Sequence, residues 1–203
     1  MAIKPILFNT EMVRAILDGR KTCTRRIAKG FIPDDALWGY TAFTPKGYIS
    51  CRGVYADRYG EGFYKLPYQP GDILYVRETW HKGLERYIYR ADYSDTEKFY
   101  RGGKEIEMKW HPYIHMPKEA ARIWLKVTNV RVERLQEITS QGAWKEGARC
   151  SCLYPVPDCV GNKTAFIEIW NSTIKKSDLD RYGWDASPWV WVIEFERCEK
   201  PEE

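Results

Sequence analysis

The chain has 203 residues, which is enough to bury a hydrophobic core without disulfide support and fits one domain with additions better than two domains. Hydrophobic residues make up 44% of the chain and charged residues 30%, a globular composition that excludes a disordered protein. The net charge of +4 is compatible with a phosphate-bearing partner, but it is far from the charge of a histone-like protein.

Two features of the sequence bear on location. No apolar run reaches about 18 residues, the length that predicts a membrane-spanning helix. The chain also does not open on a charged segment followed by an apolar one, which would predict a secretion signal. We therefore expect a cytoplasmic protein that makes no membrane contact.

The first part of the chain predicts a strand, a helix and a second extended segment. Residues 4–9 form a short apolar run with a proline near its start, which suits a first strand. Thr10 can cap a helix whose apolar residues between positions 12 and 17 share one face, and Gly19 suits its end. The helix leads directly into residues 20–26, where threonines favour an extended conformation.

The middle of the chain predicts loops and short strands. Scattered Gly, Pro and aromatic residues between positions 27 and 70 indicate mostly loop with one hairpin, in which residues 47–51 form a strand. A turn then leads into a strand over residues 73–80, and another strand follows at 86–91. The polar stretch 92–107 predicts a mobile loop.

The last third of the chain predicts the longest strand and two further helices. Residues 121–135 alternate apolar and polar side chains, which predicts a long bent strand, and long alternating strands suggest a barrel. A helix capped by Thr139 runs to Gly147, a second covers residues 164–176, and a strand over 188–195 closes the chain. These elements predict an α+β fold with a small curved sheet flanked by about three helices.

Four cations stand within seven residues just beyond the first helix. They are Arg20, Lys21, Arg25 and Arg26. The simplest interpretation is a solvated basic turn whose cations interact with the helix dipole. That interaction explains one or two of the cations, but not all four. A lysine that is partly desolvated and crowded by arginines can act as a general base on a neighbouring hydroxyl, and threonines are interleaved with these cations. The segment therefore predicts either phosphate binding or a nucleophile site.

The cysteines favour no metal centre. All six occur without a secretion signal, so we expect reduced thiols rather than a disulfide framework. Cys150, Cys152 and Cys159 could recruit a soft metal, with Cys198 as a fourth ligand. However, C-x-C-x6-C is not one of the common zinc spacings, and no second CxxC or His pair completes it. We expect ordinary thiols, with neither a metal nor another cofactor.

Three motifs bracket nearly the whole chain. They are residues 19–26 behind an amphipathic helix, residues 69–76 with their Pro-Gly-Asp turn, and the closing strand that ends at 192–195. Together they resemble the ASCH (activating signal cointegrator homology) family of PUA-like proteins. The longer pattern, which includes Trp110 and residues 182–185, resembles ASCH proteins commonly encoded by phages and prophages.

The resemblance implies a fold and a class of ligand. The fold is a PUA-like β-barrel with a curved mixed sheet, formed as a single domain over residues 1–203. Because the family core is shorter than this chain, the segments near 28–66 and 92–118 are expected to be insertions. The ligand is a modified nucleoside or RNA held in a basic cleft, and we expect a monomer in the cytoplasm of a bacterial or phage-infected cell.

The resemblance also implies a reaction. Some small bacterial members of the family are amidohydrolases that remove the acetyl group of N4-acetylcytidine with a Lys, a Thr and a Glu. Matching their pattern to this sequence gives Lys21 as the general base and Thr24 as the nucleophile. Glu146, seven residues beyond the cap at Thr139, matches the acid that protonates or orients the leaving amine.

Five further residues are candidates for binding the substrate. They are Arg20, Arg25, Arg26, Glu78 and Trp80. A cation such as Arg26 would stabilise the oxyanion of an acyl-transfer step. Glu78 ends a predicted strand, where barrel mouths collect functional groups, although a salt bridge to the arginine cluster explains it equally well. Trp80 either stacks on a base or packs in the core.

Two other functions stay open on the sequence. The first is a non-catalytic RNA-binding module, in which the arginines hold phosphates. The second is a small ribonuclease, in which His111 and His115 serve as acid and base. Histidines of this kind are more often structural or exposed.

Overall fold

The computed structural model describes residues 1–29, 37–44, 47–55 and 58–202. The chain divides into two compact units, and the sequence passes between them more than once. Unit 1 consists of Met1–Thr22, Gly71–Lys126 and Glu196–Glu203. Unit 2 consists of Cys23–Pro70 and Val127–Phe195.

The described residues form twelve strands and four α-helices, so the predicted α+β class is confirmed. The strands are β1 (Ile3–Leu7), β2 (Cys23–Ile27), β3 (Leu37–Phe43), β4 (Tyr48–Tyr55), β5 (Arg58–Lys65), β6 (Ile73–Arg77), β7 (Trp80–Lys82), β8 (Tyr87–Tyr89), β9 (Phe99–Arg101), β10 (Lys104–Ile106), β11 (Trp124–Arg134) and β12 (Trp189–Cys198). The helices are α1 (Thr10–Leu17), α2 (Ser140–Lys145), α3 (Gly161–Thr173) and α4 (Leu179–Tyr182).

The three predicted helices correspond to α1, α2 and α3, and the short α4 is additional. In the part of the chain that the structure describes, none of the helices has the length and apolar character needed to cross a membrane.

Helix α1 begins at Thr10, the residue predicted as its cap, so the observed cap lies one residue earlier. Its N-cap is Asn9, whose side-chain oxygen accepts a hydrogen bond from the Met12 amide at 2.9 Å. Asn9 is extended and caps the Met12 amide, which has no partner within the helix, so Thr10 is the first helical residue rather than the cap. Helix α1 buries Val13, and the chain leaves it through Gly19, whose φ of +69° suits glycine.

The Pro-Gly-Asp turn has a structural role in unit 1. Strand β1 pairs in parallel with β6, and the start of β11 pairs antiparallel with β6. The buried Asp72 carboxylate precedes β6, where it accepts hydrogen bonds from the Ala2 amide at 2.9 Å and from Lys4 Nζ at 2.7 Å. This side chain therefore fastens the first strand beside the sixth.

Unit 2 contains the sheet on which the predicted catalytic threonine lies. Strand β12 lies between β11 and β2, and it pairs antiparallel with β2, with Thr24 opposite Ile193. A core cluster that includes Leu135, Phe166 and Val192 packs α3 against this sheet. Burying these apolar side chains is the main stabilising term for the unit.

Two predicted loop regions contain more regular structure than the sequence indicated. Within the segment 27–70, strands β3, β4 and β5 form an antiparallel sheet, rather than one hairpin among loops. The predicted strand at 47–51 is the first part of β4. Within 92–107, strands β9 and β10 form a hairpin around Gly102 and Gly103. Residues 30–36, 45–46 and 56–57 of the first segment lie outside the described residues.

The predicted barrel is not observed as a closed sheet. In unit 1 the described strands of the main sheet follow the order β1-β6-β11, and in unit 2 they follow β11-β12-β2. Strand β1 pairs with β6 in parallel. The antiparallel pairs are β6 with β11, β2 with β12, β3 with β4, β4 with β5, β7 with β8 and β9 with β10. The sheet is thus mixed and mostly antiparallel, whereas the barrel and the single-domain organisation stay predictions.

Candidate functional site

Three candidate residues of the segment that the sequence singled out are buried. Lys21 is 3% exposed, Thr24 4% and Arg25 5%. Thr24 and Arg25 lie on β2 in unit 2, where Arg25 is paired in register with Val192 of β12. Charged side chains are almost never fully buried unless they have partners, so the surroundings of Arg25 decide what this segment does.

Arg25 is held by two carboxylates of unit 2. Its Nη1 lies 3.2 Å from Glu146 Oε1, and its Nε donates to Glu133 Oε1 at 3.0 Å. Burial of Arg25 disfavours the charged guanidinium, but attraction to Glu146 and Glu133 outweighs it and raises the pKa above its ordinary value. Arg25 is therefore a permanently charged anchor for these two glutamates.

Glu146 reaches this site from the end of α2. The helix begins after Thr139, whose hydroxyl accepts a hydrogen bond from the Gly142 amide at 3.0 Å, as the sequence predicts. Glu146 is the C-cap residue of α2, and its side chain is 7% exposed. The Thr139 cap and the length of α2 thus fix where this carboxylate lies.

A second arginine extends the cluster along β11 and β12. Arg131 Nε donates to Glu133 Oε2 at 3.1 Å, and Arg131 Nη1 donates to Glu194 Oε1 at 2.7 Å. Burial would raise the pKa of Glu194, but the hydrogen bond and charge of Arg131 outweigh it and lower the pKa below 4.5. Arg131, Glu133 and Glu194 join Arg25 and Glu146 in what we name the buried charge cluster, after its buried members Arg25 and Glu146. The Arg131 and Glu194 side chains are 40% and 29% exposed.

The buried charge cluster contains two cations and three carboxylates. The sequence predicted a basic pocket, in which Arg25 would contact the substrate. In the structure the Arg25 guanidinium is engaged by glutamates of its own chain, so its geometry suits positioning of Glu146 rather than phosphate binding.

The other residues of the basic segment lie in different surroundings. Arg26 and Thr22 are exposed, and Arg20 Nη2 lies 2.8 Å from the exposed Asp18 carboxylate. Lys21 belongs to unit 1, where its Nζ lies 5.7 Å from the centre of the Phe8 ring. The four cations therefore do not form one uniform surface patch.

Glu78 in unit 1 has a different partner from the one that the sequence suggested. Its side chain is 1% exposed and receives two hydrogen bonds from Arg122, at 2.9 and 3.0 Å, rather than a bond from the basic segment. Arg122 also donates to Asp92 at 2.7 Å and lies 4.0 Å from the Tyr89 ring centre. Burial raises the pKa of Glu78, and the hydrogen bonds and charge of Arg122 offset this only in part.

Trp80 packs in the core of unit 1. It is 9% exposed and belongs to a buried cluster with Met116 and Ala120. Its ring centre lies 5.0 Å from that of His111, whose backbone also pairs with Trp80. Of the two interpretations of Trp80, core packing agrees with this burial, and His111 is a neighbour of that core.

Sequence reasoning missed the partners within the buried charge cluster because they are distant in the chain. Glu133 and Glu146 stand 108 and 121 positions after Arg25 in the chain. One signal was present: Glu194 interrupts the apolar run of β12, and Arg131 and Glu133 are charged positions of β11. Charges inside such strands indicate ion pairs across neighbouring strands.

Comparison with known proteins gave one similar solved structure. The chain is similar to an ASCH domain from Lactobacillus crispatus JV V101, whose structure aligns over 97% of this chain and 79% of that chain. The sequence identity is 9% and the TM-score is 0.45, so we draw nothing from this likeness about activity or ligand. No protein-family model and no curated protein matches the chain.

Proposed function

We propose that this protein binds a modified nucleoside or RNA and removes an acyl group from an N4-acetylcytidine-like base. The observation that supports the proposal is that a hydroxyl residue and the carboxylate-bound arginine next to it in the sequence are both buried on β2. Thr24 is 4% exposed, and its chain neighbour Arg25 is bound to the buried Glu146. Hydroxyl and charged side chains are mostly exposed, so their burial calls for a role, and the proposal assigns Thr24 and Glu146 a functional one.

Each residue has a defined role in the proposed reaction. The Thr24 hydroxyl attacks the acyl carbonyl, and Lys21, three positions earlier in the sequence, accepts the hydroxyl proton. The carbon–nitrogen bond then breaks, the cytosine amine leaves with a proton returned by Lys21, and the acyl group stays on Thr24. Water hydrolyses this ester and releases the free threonine and a carboxylic acid.

Glu146 orients the leaving amine in this proposal. A carboxylate that is ion-paired with Arg25 is an acceptor, which suits a hydrogen bond from the exocyclic N–H of an acylated cytosine. Arg25 acts on the substrate only through Glu146 and is a positioning residue. The ion pair is thus the feature that distinguishes this mechanism from one in which Glu146 donates a proton.

The test is turnover of N4-acetylcytidine, followed by chromatography and mass spectrometry. We expect Lys21→Ala to lower kcat/KM by about 100-fold to 10,000-fold, the usual contribution of general acid–base catalysis. We expect Thr24→Ala to abolish turnover and Thr24→Ser, the matched control, to retain it. Circular dichroism checks that both Thr24 variants fold. Undiminished turnover in Thr24→Ala, or no turnover by the unmodified protein, would overturn the catalytic proposal.

A second function is favoured by the exposed cations near the end of β2. Arg26 and Lys29 are both exposed, unlike Arg25. Such side chains suit phosphate contacts that carry no catalysis, so the second candidate is an RNA-binding module. It predicts an affinity for single-stranded RNA that falls steeply with salt and weakens in Arg26→Ala. An affinity independent of salt contradicts it.

A further inference from the structure

Three cysteines of unit 2 converge on one loop in front of helix α3. The Sγ atoms of Cys150, Cys152 and Cys159 all lie within 4.8 Å of one another. Cys150 and Cys152 are joined by a disulfide, and Cys159 Sγ lies 3.7 Å from Cys152 Sγ. A disulfide uses only two sulfurs, so it gives no reason for the third to lie at this distance.

One fully buried side chain holds the loop that carries these cysteines. Asn162 is 0% exposed, and its Oδ1 accepts a hydrogen bond from the Cys150 amide at 3.0 Å. Its Nδ2 donates to the carbonyls of Val156 at 2.8 Å and Pro157 at 3.1 Å. Its own amide donates to the Cys159 carbonyl at 3.0 Å. Both ends of the loop are thereby tied to the first turn of α3.

A glycine allows the cysteines to approach the helix. A Cβ atom at Gly161 would lie 2.7 Å from Cys150 Cβ and 3.6 Å from Cys159 Sγ. A contact of 2.7 Å is closer than carbon atoms can pack, so a larger residue would push Cys150 away from its place. Asn162 and Gly161 together make the cysteine arrangement a built feature of the fold.

We propose that, when the disulfide is reduced, Cys150, Cys152 and Cys159 bind one soft divalent cation such as Zn²⁺. A thiol reductant supplies two electrons and two protons to the disulfide and gives two thiols. Each of the three thiols then loses its proton on binding the cation. Zinc–sulfur bonds of about 2.3 Å in a tetrahedron separate the sulfurs by about 3.8 Å, close to the observed distance from Cys152 to Cys159.

The site is an open one. Cys152 is exposed, and Cys150 and Cys159 are partly exposed, so solvent reaches the place where the cation would be bound. Cys198, which the sequence offered as a fourth ligand, does not belong to the cluster. Three protein ligands leave the fourth position to water or to a small donor molecule, the arrangement found in exchangeable and catalytic sites rather than closed structural ones.

The experiment uses the full chain, which is reduced with a phosphine and freed of metal. It is then titrated with Co²⁺, a spectroscopic substitute for Zn²⁺, in the absence of oxygen. We expect a thiolate-to-cobalt charge-transfer band and the visible bands of tetrahedral cobalt, both lost when Zn²⁺ is added. Removing a residue that only hydrogen-bonds to a metal ligand lowers metal affinity by about 10-fold to 100-fold. Cys152→Ser removes a ligand itself, so it should lower the cobalt affinity by at least about that factor. Cys198→Ser is the matched control and should bind as the unmodified chain does.

Cys152→Ser is the decisive variant because its side chain is exposed and its loss leaves the core intact. Absence of a charge-transfer band in the fully reduced protein would overturn the proposal. Unchanged cobalt binding in both Cys152→Ser and Cys159→Ser would overturn it as well. Thiol labelling gives an independent readout, since Zn²⁺ should slow the labelling of these cysteines in the unmodified chain but not in Cys152→Ser. Equal labelling with and without Zn²⁺ counts against the site.

Discussion

Replacing Arg25 with methionine tests the buried charge cluster most directly. The Arg25 side chain is 2% exposed, and its partners Glu146 and Glu133 are 7% and 15% exposed. Methionine keeps much of the apolar contact but leaves both carboxylates without this guanidinium. Removal of one partner of a buried ion pair costs about 3–5 kcal/mol, so we expect a loss of that size in the free energy of unfolding.

The assay is urea denaturation followed by tryptophan fluorescence, together with thermal unfolding. For chains of this size, about 1 kcal/mol lowers Tm by about 2–4 °C, so Arg25→Met should lower Tm by about 6–20 °C. Arg20→Met is the matched control. Arg20 is 37% exposed and paired with the exposed Asp18, and exposed pairs contribute only about 0–1 kcal/mol.

One further variant separates the ion pair from simple packing. A second change, Glu146→Gln, should restore at least about 1 kcal/mol to Arg25→Met, because it removes the uncompensated charge. If Arg25→Met and Arg20→Met lose equal stability at neutral pH, the ion-pair reasoning is wrong.

The remaining predictions concern two carboxylates and one glycine. Burial raises the pKa of Glu78, so its contribution to stability is present at low pH and is lost as the pH rises through the folded pKa, which lies above 4.5. In Glu78→Gln the free energy of unfolding should no longer fall as the pH rises, which urea denaturation at a series of pH values measures. The same fall in the variant as in the unmodified protein contradicts this prediction. The pH dependence expected for Glu194 is the opposite. Burial raises its pKa, but Arg131 lowers it by more. The stability that Glu194 contributes is therefore present above pH 4.5 and is lost as the pH falls through the folded pKa. Glu194→Gln should therefore make acid unfolding less steep, and an equally steep loss refutes this. Gly161→Ala should destabilise the protein by about 1–3 kcal/mol, because the new Cβ lies 2.7 Å from that of Cys150. The exposed neighbour change Val160→Ala should stay within about 0.5 kcal/mol, and equal effects of the two changes in chemical denaturation would disprove the close packing.

Elements with a strong local signal were predicted well. The apolar spacing of α1 and the alternation along β11 are visible in a window of a few residues, and both elements are confirmed. The cap at Thr139 is equally local, because its hydroxyl binds an amide three residues later. The cap of α1 was misplaced by one residue because Asn9 and Thr10 are both good caps.

The sheet formed by β3, β4 and β5 was underestimated for a physical reason. Its strands contain glycines and polar residues, which are depleted in strands and frequent in loops. Strands β4 and β5 are formed by eight register pairs, from Tyr48 with Lys65 to Tyr55 with Arg58, and such pairing depends on neighbouring strands rather than on local preference. A single sequence carries little of that information.

The sequence predicted the basic segment, and its resemblance to the ASCH family assigned candidate catalytic roles to Lys21, Thr24 and Glu146, which stay predictions. It contained no information on the direction in which each charge points. Strand β2 places Arg25 in the interior and leaves Arg26 exposed, and the pairing of β2 with β12 and the end of α2 decide which carboxylates Arg25 meets. Those partners come from positions more than a hundred residues away, brought together by sheet pairing and core packing, and no local pattern encodes them.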